Sequence, residues 1–463
     1  MHQFGVYEKP AITASNSTNL LSHYFHLLAS SPELRHLRHL HARLLRSGLF
    51  SDPFLSTKLL LSYSRHGRLF PSSLRIFHLM PYRNSFTWST LISELSKSGS
   101  SQICFRFFRR MRYADVEVDN FTIPPVLRSC AVIGCLEFCK SVHGLSVKLG
   151  LDRNVFVGSA QVMCYNSLSQ ISDARKVFDE MTKRDTVLWT SMLSGYAQSE
   201  KPELAFTFFS MMVHERIVLD VVVMVSLLLA CAQLSWLNHG RNIHAYAIRR
   251  LPSFPLVLGN ALVDMYVKCG SFDCARKMFD SIQYRDVISW TTLILGHGLN
   301  GHVNDALSLF DEMCIEGVKP NSITFLGVLS ACGHAGLVEK AWELFHRMRK
   351  LGLEPELKHY SCIADALARA GQVVEAERFI NEMPFEPDGA TLRALLSFCR
   401  VHGDMETAKR IANKLVIACP ESSGCYMSMA NIYSDVGQHD ESKRVREYMK
   451  GINLLKVPGW STS

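Results

Sequence analysis

Residues 287–321 read VISWTTLILGHGLNGHVNDALSLFDEMCIEGVKPN. Trp290, Leu293, Ile294 and His297 fall at i, i+3, i+4 and i+7, which is one face of a helix. Beyond a small-residue turn, Ala306, Leu309, Phe310 and Met313 repeat that spacing, and Val318-Lys319-Pro320-Asn321 reads as the stop of this second helix. Strand-like alternation is absent. The stretch is a hairpin of two amphipathic helices. Its neighbours share the layout: 258–286 reads LGNALVDMYVKCGSFDCARKMFDSIQYRD, and 322–356 reads SITFLGVLSACGHAGLVEKAWELFHRMRKLGLEPE. A hairpin of about 31 to 36 residues cannot bury both its apolar faces alone, so neighbours must stack into a solenoid.

The same pattern extends outward at a step of 101 residues. Trp88, Trp189 and Trp290 keep it, as do Phe77, Phe178 and Phe279, and Met111, Met212 and Met313. Leu127, Leu228 and Leu329 follow, with Cys130, Cys231 and Cys332, and with Asp119, Asp220 and Asn321. A tandem unit of about a hundred residues is therefore copied three times. The fold class is all-α, a superhelical solenoid of stacked helix-turn-helix hairpins with the shared Trp, Phe, Met and Ala positions as its core. One extra residue falls between Gly67 and Phe77 in the first copy.

Composition agrees. With 463 residues, 48% hydrophobic and 20% charged, the chain is neither disordered nor fibrous. A net charge of +8 permits a polyanionic partner without demanding one. Fourteen cysteines scattered along so long a chain read as reduced, mostly buried thiols. The first residues, MHQFGVYEKPAITASNSTN, hold no arginine and match an Arg-rich transit peptide poorly. Val221 to Leu234 is the most apolar run, but it falls short of the ~20 residues a membrane span needs.

Hairpins carrying MYVKCGS, ARKMFD, SWTTLI, ALSLFDEM, GVKPN and VLSACG resemble the PLS-class pentatricopeptide repeat proteins of land plants. The second copy repeats this as ARKVFDEM, LWTSMLSGYAQ and LLLACAQL, and a more worn first copy as RIFHLM, TWSTLIS and VLRSCA. The resemblance implies a right-handed superhelix. It divides the chain into an N-terminal segment (1–18), a degenerate first repeat (19–52), a P-, L- and S-type repeat array (53–388) and an E-type helical extension (389–463). The extension carries SFCRVHGDMETAKRIANKL and MSMANIYSDVGQHDESKRVREYMK, and Pro458-Gly459-Trp460 lies close to where the family's extension ends. The family's longest members continue into a DYW-type zinc deaminase, whose chemistry needs His-x-Glu and Cys-x-x-Cys. No Cys-x-x-Cys occurs here, and the one His-x-Glu, His439 to Glu441, lies beyond the last cysteine, Cys425. The expectation is a non-enzyme of the E subgroup without a deaminase, catalytic residue, cofactor or metal.

The resemblance also implies which residues read RNA. Phe54, Phe86, Phe156, Val187, Val257 and Ile288, second in their hairpins, would stack on bases. The fifth and last residues of each hairpin would read base edges: Thr57 with Asn84, Ser89 with Asp119, Ser159 with Asp185, Thr190 with Asp220, Asn260 with Asp286, Thr291 with Asn321, and Ser361 with Asp388. Asp offers an acceptor and Asn both donor and acceptor. By the family's code the preference is A-G-x-G-G-x-U-A, N to C along 5′ to 3′, with a weak G after a further gap for Ser361 and Asp388. The x hairpins carry Pro124 and Val225 at the fifth position. Taken singly, a Ser or Thr at a helix start reads as an N-cap.

Two other patterns yield to the repeat. Gly296-His297-Gly298-Leu299-Asn300-Gly301 matches G-x-G-x-x-G but lacks the strand a dinucleotide site requires. Cys135 with Cys139, and Cys269 with Cys274, have the wrong spacing for a closed zinc site. The expected function is a single-stranded RNA-binding adaptor in the mitochondrion, or alternatively the chloroplast. It would select a cytidine for C-to-U editing and recruit a deaminase-bearing partner protein in trans, with no membrane and no DNA involved. The alternatives are a factor for transcript processing, stability or splicing, and a protein-binding scaffold.

Overall fold

The computed structural model describes residues 14–30, 33–67, 72–217 and 219–451. Among them lie twenty-six α-helices, one 3-10 turn and no strand. The helices pair in chain order into hairpins. The hairpin read first consists of Val287–Leu299 and Val303–Ile315. Trp290, Leu293, Ile294, Ala306, Leu309, Phe310 and Met313 are all buried, as their spacing requires. The second helix stops earlier than the Val318–Asn321 run, at Ile315. Gly317 turns the chain left-handed at φ 74°, and Val318 N–H returns to the Met313 carbonyl at 3.1 Å. That is a glycine-closed C-terminus in which the orphan carbonyls find donors without the proline. The N-terminal segment and Pro458-Gly459-Trp460 lie outside the described residues, as do residues 68–71 beside the extra residue of the first copy.

Turns within the hairpins show why glycine recurs. Gly270 and Gly371 sit at φ 73° and 84° between their helices, and Ser169 occupies the equivalent place at φ 58°. A left-handed conformation costs a β-carbon-bearing residue about 1 kcal/mol or more, and glycine nothing comparable. Ser169→Gly is therefore expected to stabilise the hairpin by about 1 kcal/mol, read as a higher urea midpoint; a lower midpoint would contradict the assignment of strain.

The chain divides into two compact units, residues 1–226 and 227–463. Within the first, the hairpins' leading helices pack on one another in order: Pro53–Arg65, Ser85–Lys97, Ile123–Ile133, Val155–Ser167 and Thr186–Ala197. Within the second, Leu256–Lys268, Val287–Leu299, Ser322–Ala335, Leu357–Arg369 and Gly389–Val401 do the same. The closest approach explains one of the glycines in the G-x-G-x-x-G run. A Cβ on Gly298 would stand 2.1 Å from the Gly327 carbonyl oxygen on the next leading helix. Gly296 and Gly298 lie on the helix and Gly301, at φ 76°, in the turn, so the motif belongs to the hairpin.

Side-chain geometry repeats with the sequence. The ring pairs Phe77–Trp88, Phe178–Trp189 and Phe279–Trp290 meet edge-on at 4.7, 4.8 and 4.7 Å. Beneath each pair an arginine spans from the next loop. Arg83, Arg184 and Arg285 donate through Nε to the carbonyls of Phe77, Phe178 and Phe279 and lie over the same rings. His143 and His244 bond to Tyr165 and Tyr266 on the following leading helix at 2.9 Å, tying hairpin to hairpin. All the cysteines are unpaired, and burial pushes the Cys231 and Cys399 thiols up to about 12. No helix among the described residues is long and apolar enough to cross a membrane.

Candidate nucleic-acid interface

The residues singled out for base reading collect at the N-terminal ends of the leading helices. The last residue of one hairpin is the cap of the next leading helix. Asn84, Asp185, Asp220, Asp286, Asn321 and Asp388 each accept, through Oδ1, the backbone N–H three residues on at 2.8–2.9 Å. Asp119 does the same for Thr122. Capping satisfies an orphan donor of the helix and spends one acceptor of the side chain. An aspartate cap then has Oδ2 left over, an acceptor, except at Asp119, where Oδ2 takes the Ser85 hydroxyl at 2.9 Å. An asparagine cap has only its Nδ2 protons. The expectation that Asn offers both donor and acceptor is narrowed: at Asn84 and Asn321 the oxygen accepts both the backbone N–H and the hydroxyl of Thr87 or Thr324, which fills its two lone pairs.

Asp286 and Asp388 illustrate the electrostatics. Burial pushes both carboxyls up, but the Ser289 and Thr391 hydroxyls and backbone amides outweigh it and hold them below the ordinary carboxylate range. Both remain ionised acceptors throughout the neutral range.

The fifth residues are not caps, contrary to the single-residue reading. They stand one turn inside the helix, because the cap has already been supplied by the preceding residue. Thr57 and Thr190 donate to the carbonyls of Pro53 and Thr186, four residues back, at 2.6 Å. Ser89 donates to Phe86 O, and Ser159 Oγ is buried without a partner. Asn260 alone reaches the last residue of its own hairpin, donating to Asp286 at 3.2 Å. Ser89, Ser159, Thr190 and Thr291 keep only a narrow exposed edge, 6–8%. Thr57 is fully enclosed, its hairpin mouth closed by Phe54 and Phe86 stacked 5.9 Å apart.

The second residues do the opposite. Phe54, Phe86, Phe156, Val187, Val257 and Ile288 are all exposed, from 46% to 69%, although apolar and on the first turn of a helix. In each unit a cleft gathers the three positions. In the first, about 440 Å³ is lined by Val187, Thr190, Asp220 and Val222. In the second, about 280 Å³ is lined by Ile288, Thr291, Asn321 and Ile323. The two sets are 101 residues apart, so equivalent clefts arise from equivalent sequence. Each has two apolar flanks from consecutive hairpins and a polar floor of fifth and last residues. A flat, apolar-faced group with a hydrogen-bonding edge fits such a shape.

Sequence reasoning missed the third residues of the leading helices. Thr87, Ser289, Thr324 and Thr391 each bond to the capping side chain, and each also meets the fifth residue of the previous hairpin. The signal was present as a Ser or Thr three residues after an Asn or Asp. Among the described residues, His297, His302 and Asp305 form the single group whose donor atoms could gather on a metal, all within 4.8 Å. Asp305 is mostly exposed and stands 3.6 Å from His297 Nδ1. Burial lowers His297, which leaves a neutral ring facing a solvated carboxylate.

Caps, stacked hairpins and two equivalent polar-floored clefts define a helical repeat protein. Comparison with known proteins agrees with that class. The PPR repeat pattern matches residues 86–116, 187–217, 260–287, 323–353 and 358–386, and a PPR repeat family pattern matches 285–334. The E motif matches 402–463. A pentatricopeptide repeat-containing protein of Arabidopsis thaliana is 46% identical over 453 residues, 98% of this chain and 94% of that one. Another from the same plant, named as mitochondrial, is 34% identical over 426 residues, 92% of this chain and 76% of its own. The chain belongs to the pentatricopeptide repeat family. The crystal structure of the maize protein PPR10 shares the fold at a TM-score of 0.62, with 16% identity over 93% of this chain and 68% of that one. PPR10 has also been solved with an 18-nt psaJ RNA element.

Proposed function

We propose that this chain is a sequence-specific single-stranded RNA-binding adaptor of a plant organelle, which selects a cytidine for C-to-U editing and recruits a deaminase in trans. The observation that carries the RNA reading is the pair of equivalent clefts, each with two apolar flanks over a fifth and a last residue. A base would stack between the second residues of consecutive hairpins and turn its Watson–Crick edge to the floor. An asparagine cap presents protons, which suit the bare ring nitrogen of adenine or cytosine. An aspartate cap presents an oxygen, which suits the ring N–H of guanine or uracil. The fifth residue would then choose within each class. Lysine and arginine neutralising phosphates would make binding weaken with salt.

The E motif over 402–463 supports the editing role, and relatives named as mitochondrial support an organellar site. The test is to sequence organellar transcripts from plants with and without the chain. Loss of C-to-U conversion at a few sites preceded by A-G-x-G-G-x-U-A is expected. Intact editing with altered transcript ends or splicing would overturn the editing role.

A further inference from the structure

The hydrogen bonds at the cleft floor run in a definite order. Thr291 Oγ1 meets Thr324 Oγ1 at 2.7 Å, across consecutive hairpins. Thr324 Oγ1 stands 2.9 Å from Asn321 Oδ1, which can only accept. A hydroxyl has one proton. Thr324 therefore gives its proton to Asn321, and Thr291 gives its own to Thr324. The proton of the fifth residue is turned inward, so Thr291 faces the cleft as an acceptor alone. Thr87 and Thr391 make the same contacts, with Asn84 and Thr57 and with Asp388 and Ser361, but there the fifth-residue proton is shared with a backbone carbonyl, Pro53 O at 2.6 Å or Leu357 O at 3.0 Å.

Other hairpins lack the relay; after Ser89, Thr122 donates to Asp119 while Ser89 turns to the Phe86 carbonyl, and in two more the difference lies in one residue. After Ser159 and Thr190 the third position of the next leading helix holds Leu188 and Val223, both buried. Thr190 donates only to the Thr186 carbonyl. That carbonyl also serves the helix, so releasing the hydroxyl proton toward a ligand leaves no buried group unpaired.

We propose that the third residue of each leading helix is a specificity-determining positioning residue for the hairpin before it. A hydroxyl there that meets the fifth-residue hydroxyl, as Thr324 meets Thr291, locks it as an acceptor and shifts that hairpin toward adenine over guanine. The chemistry is direct. At the same corner of the purine edge adenine shows an amino donor and guanine a keto acceptor. An acceptor-only hydroxyl suits the first and opposes the second, whereas a hydroxyl free to turn suits either. The proposal rests on the base-reading role argued above, and it concerns residues outside the second, fifth and last positions.

Two substitutions in the full-length chain test it, with fluorescein-labelled single-stranded RNA reading AGCGGCUA as the probe. Thr324→Val keeps the shape and the Asn321 cap but removes the relay. It should lower the preference for A over G at the eighth nucleotide by about two- to tenfold, with the other nucleotides unaffected. Val223→Thr installs the relay beside Thr190 and Asp220. It should raise A relative to G at the fifth nucleotide by a similar factor. Circular dichroism melting checks that each variant folds, and either one alone decides the matter. Discrimination at both nucleotides that neither variant alters would overturn the proposal and leave base reading standing. A parent chain that does not discriminate at these nucleotides would overturn both.

Discussion

Trp290→Ala is expected to destabilise residues 227–463 by about 3–5 kcal/mol, the range for removing a large aromatic from a core. Trp290 is 1% exposed and meets Phe279 edge-on at 4.7 Å, and the Arg285 guanidinium lies over that same ring at 4.9 Å. Removing the indole therefore leaves a cavity and loosens an arginine that ties the loop to the preceding helix. In a stacked array each hairpin is stabilised by its neighbours. Faster amide exchange should accordingly spread from Val287–Leu299 into Leu256–Lys268 and Ser322–Ala335. Trp290→Phe should cost much less, since Trp290 Nε1 is buried without a partner and its loss removes a desolvation penalty. Urea denaturation of the three proteins measures this. A loss below about 1 kcal/mol for the alanine variant would mean that the 101-residue tryptophan is not a core residue.

Asp220→Asn is expected to move base preference at the fifth nucleotide of AGCGGCUA from guanine toward adenine by about ten- to a hundredfold, corresponding to 1–3 kcal/mol for a base-edge contact. The fold should hold. Asn and Asp cap helices about equally well, and the Val223 amide that Asp220 accepts at 2.9 Å needs only an oxygen. That oxygen once committed, the group left facing Thr190 and Val187 changes from carboxylate oxygen to amide protons. Filter binding with guanine and adenine at that one nucleotide gives the ratio. A preference unchanged from the parent, with normal affinity, would exclude Asp220 from base reading.

Much of the arrangement was legible in the chain itself. Helices follow from spacings such as Trp290, Leu293 and Ile294, because burial on one side of a 3.6-residue period leaves a trace in every turn. Stacking follows from a hairpin too small to bury its own faces. The step of 101 residues then carries each inference from one copy to the next: Gly270 explains Ser169, and Arg184 explains Arg285. The second residues came through the family resemblance alone, and their exposure from the structure. Thr57 shows the limit. Its type and place match Thr291, yet the stacked rings of Phe54 and Phe86 close its hairpin.

Local order along the chain sufficed for helices, turns, hairpins and the repeat, because those depend on neighbours within about a turn or on a period that many residues share. Proton direction at the cleft floor was decided only by packing. Thr291 and Thr324 are far apart in sequence and meet solely because two leading helices stack in one register, close enough for Gly298 to touch Gly327. Which atom of Asn321 is spent on the helix, and which is left to face the cleft, is a matter of three-dimensional hydrogen bonding that residue identity does not encode.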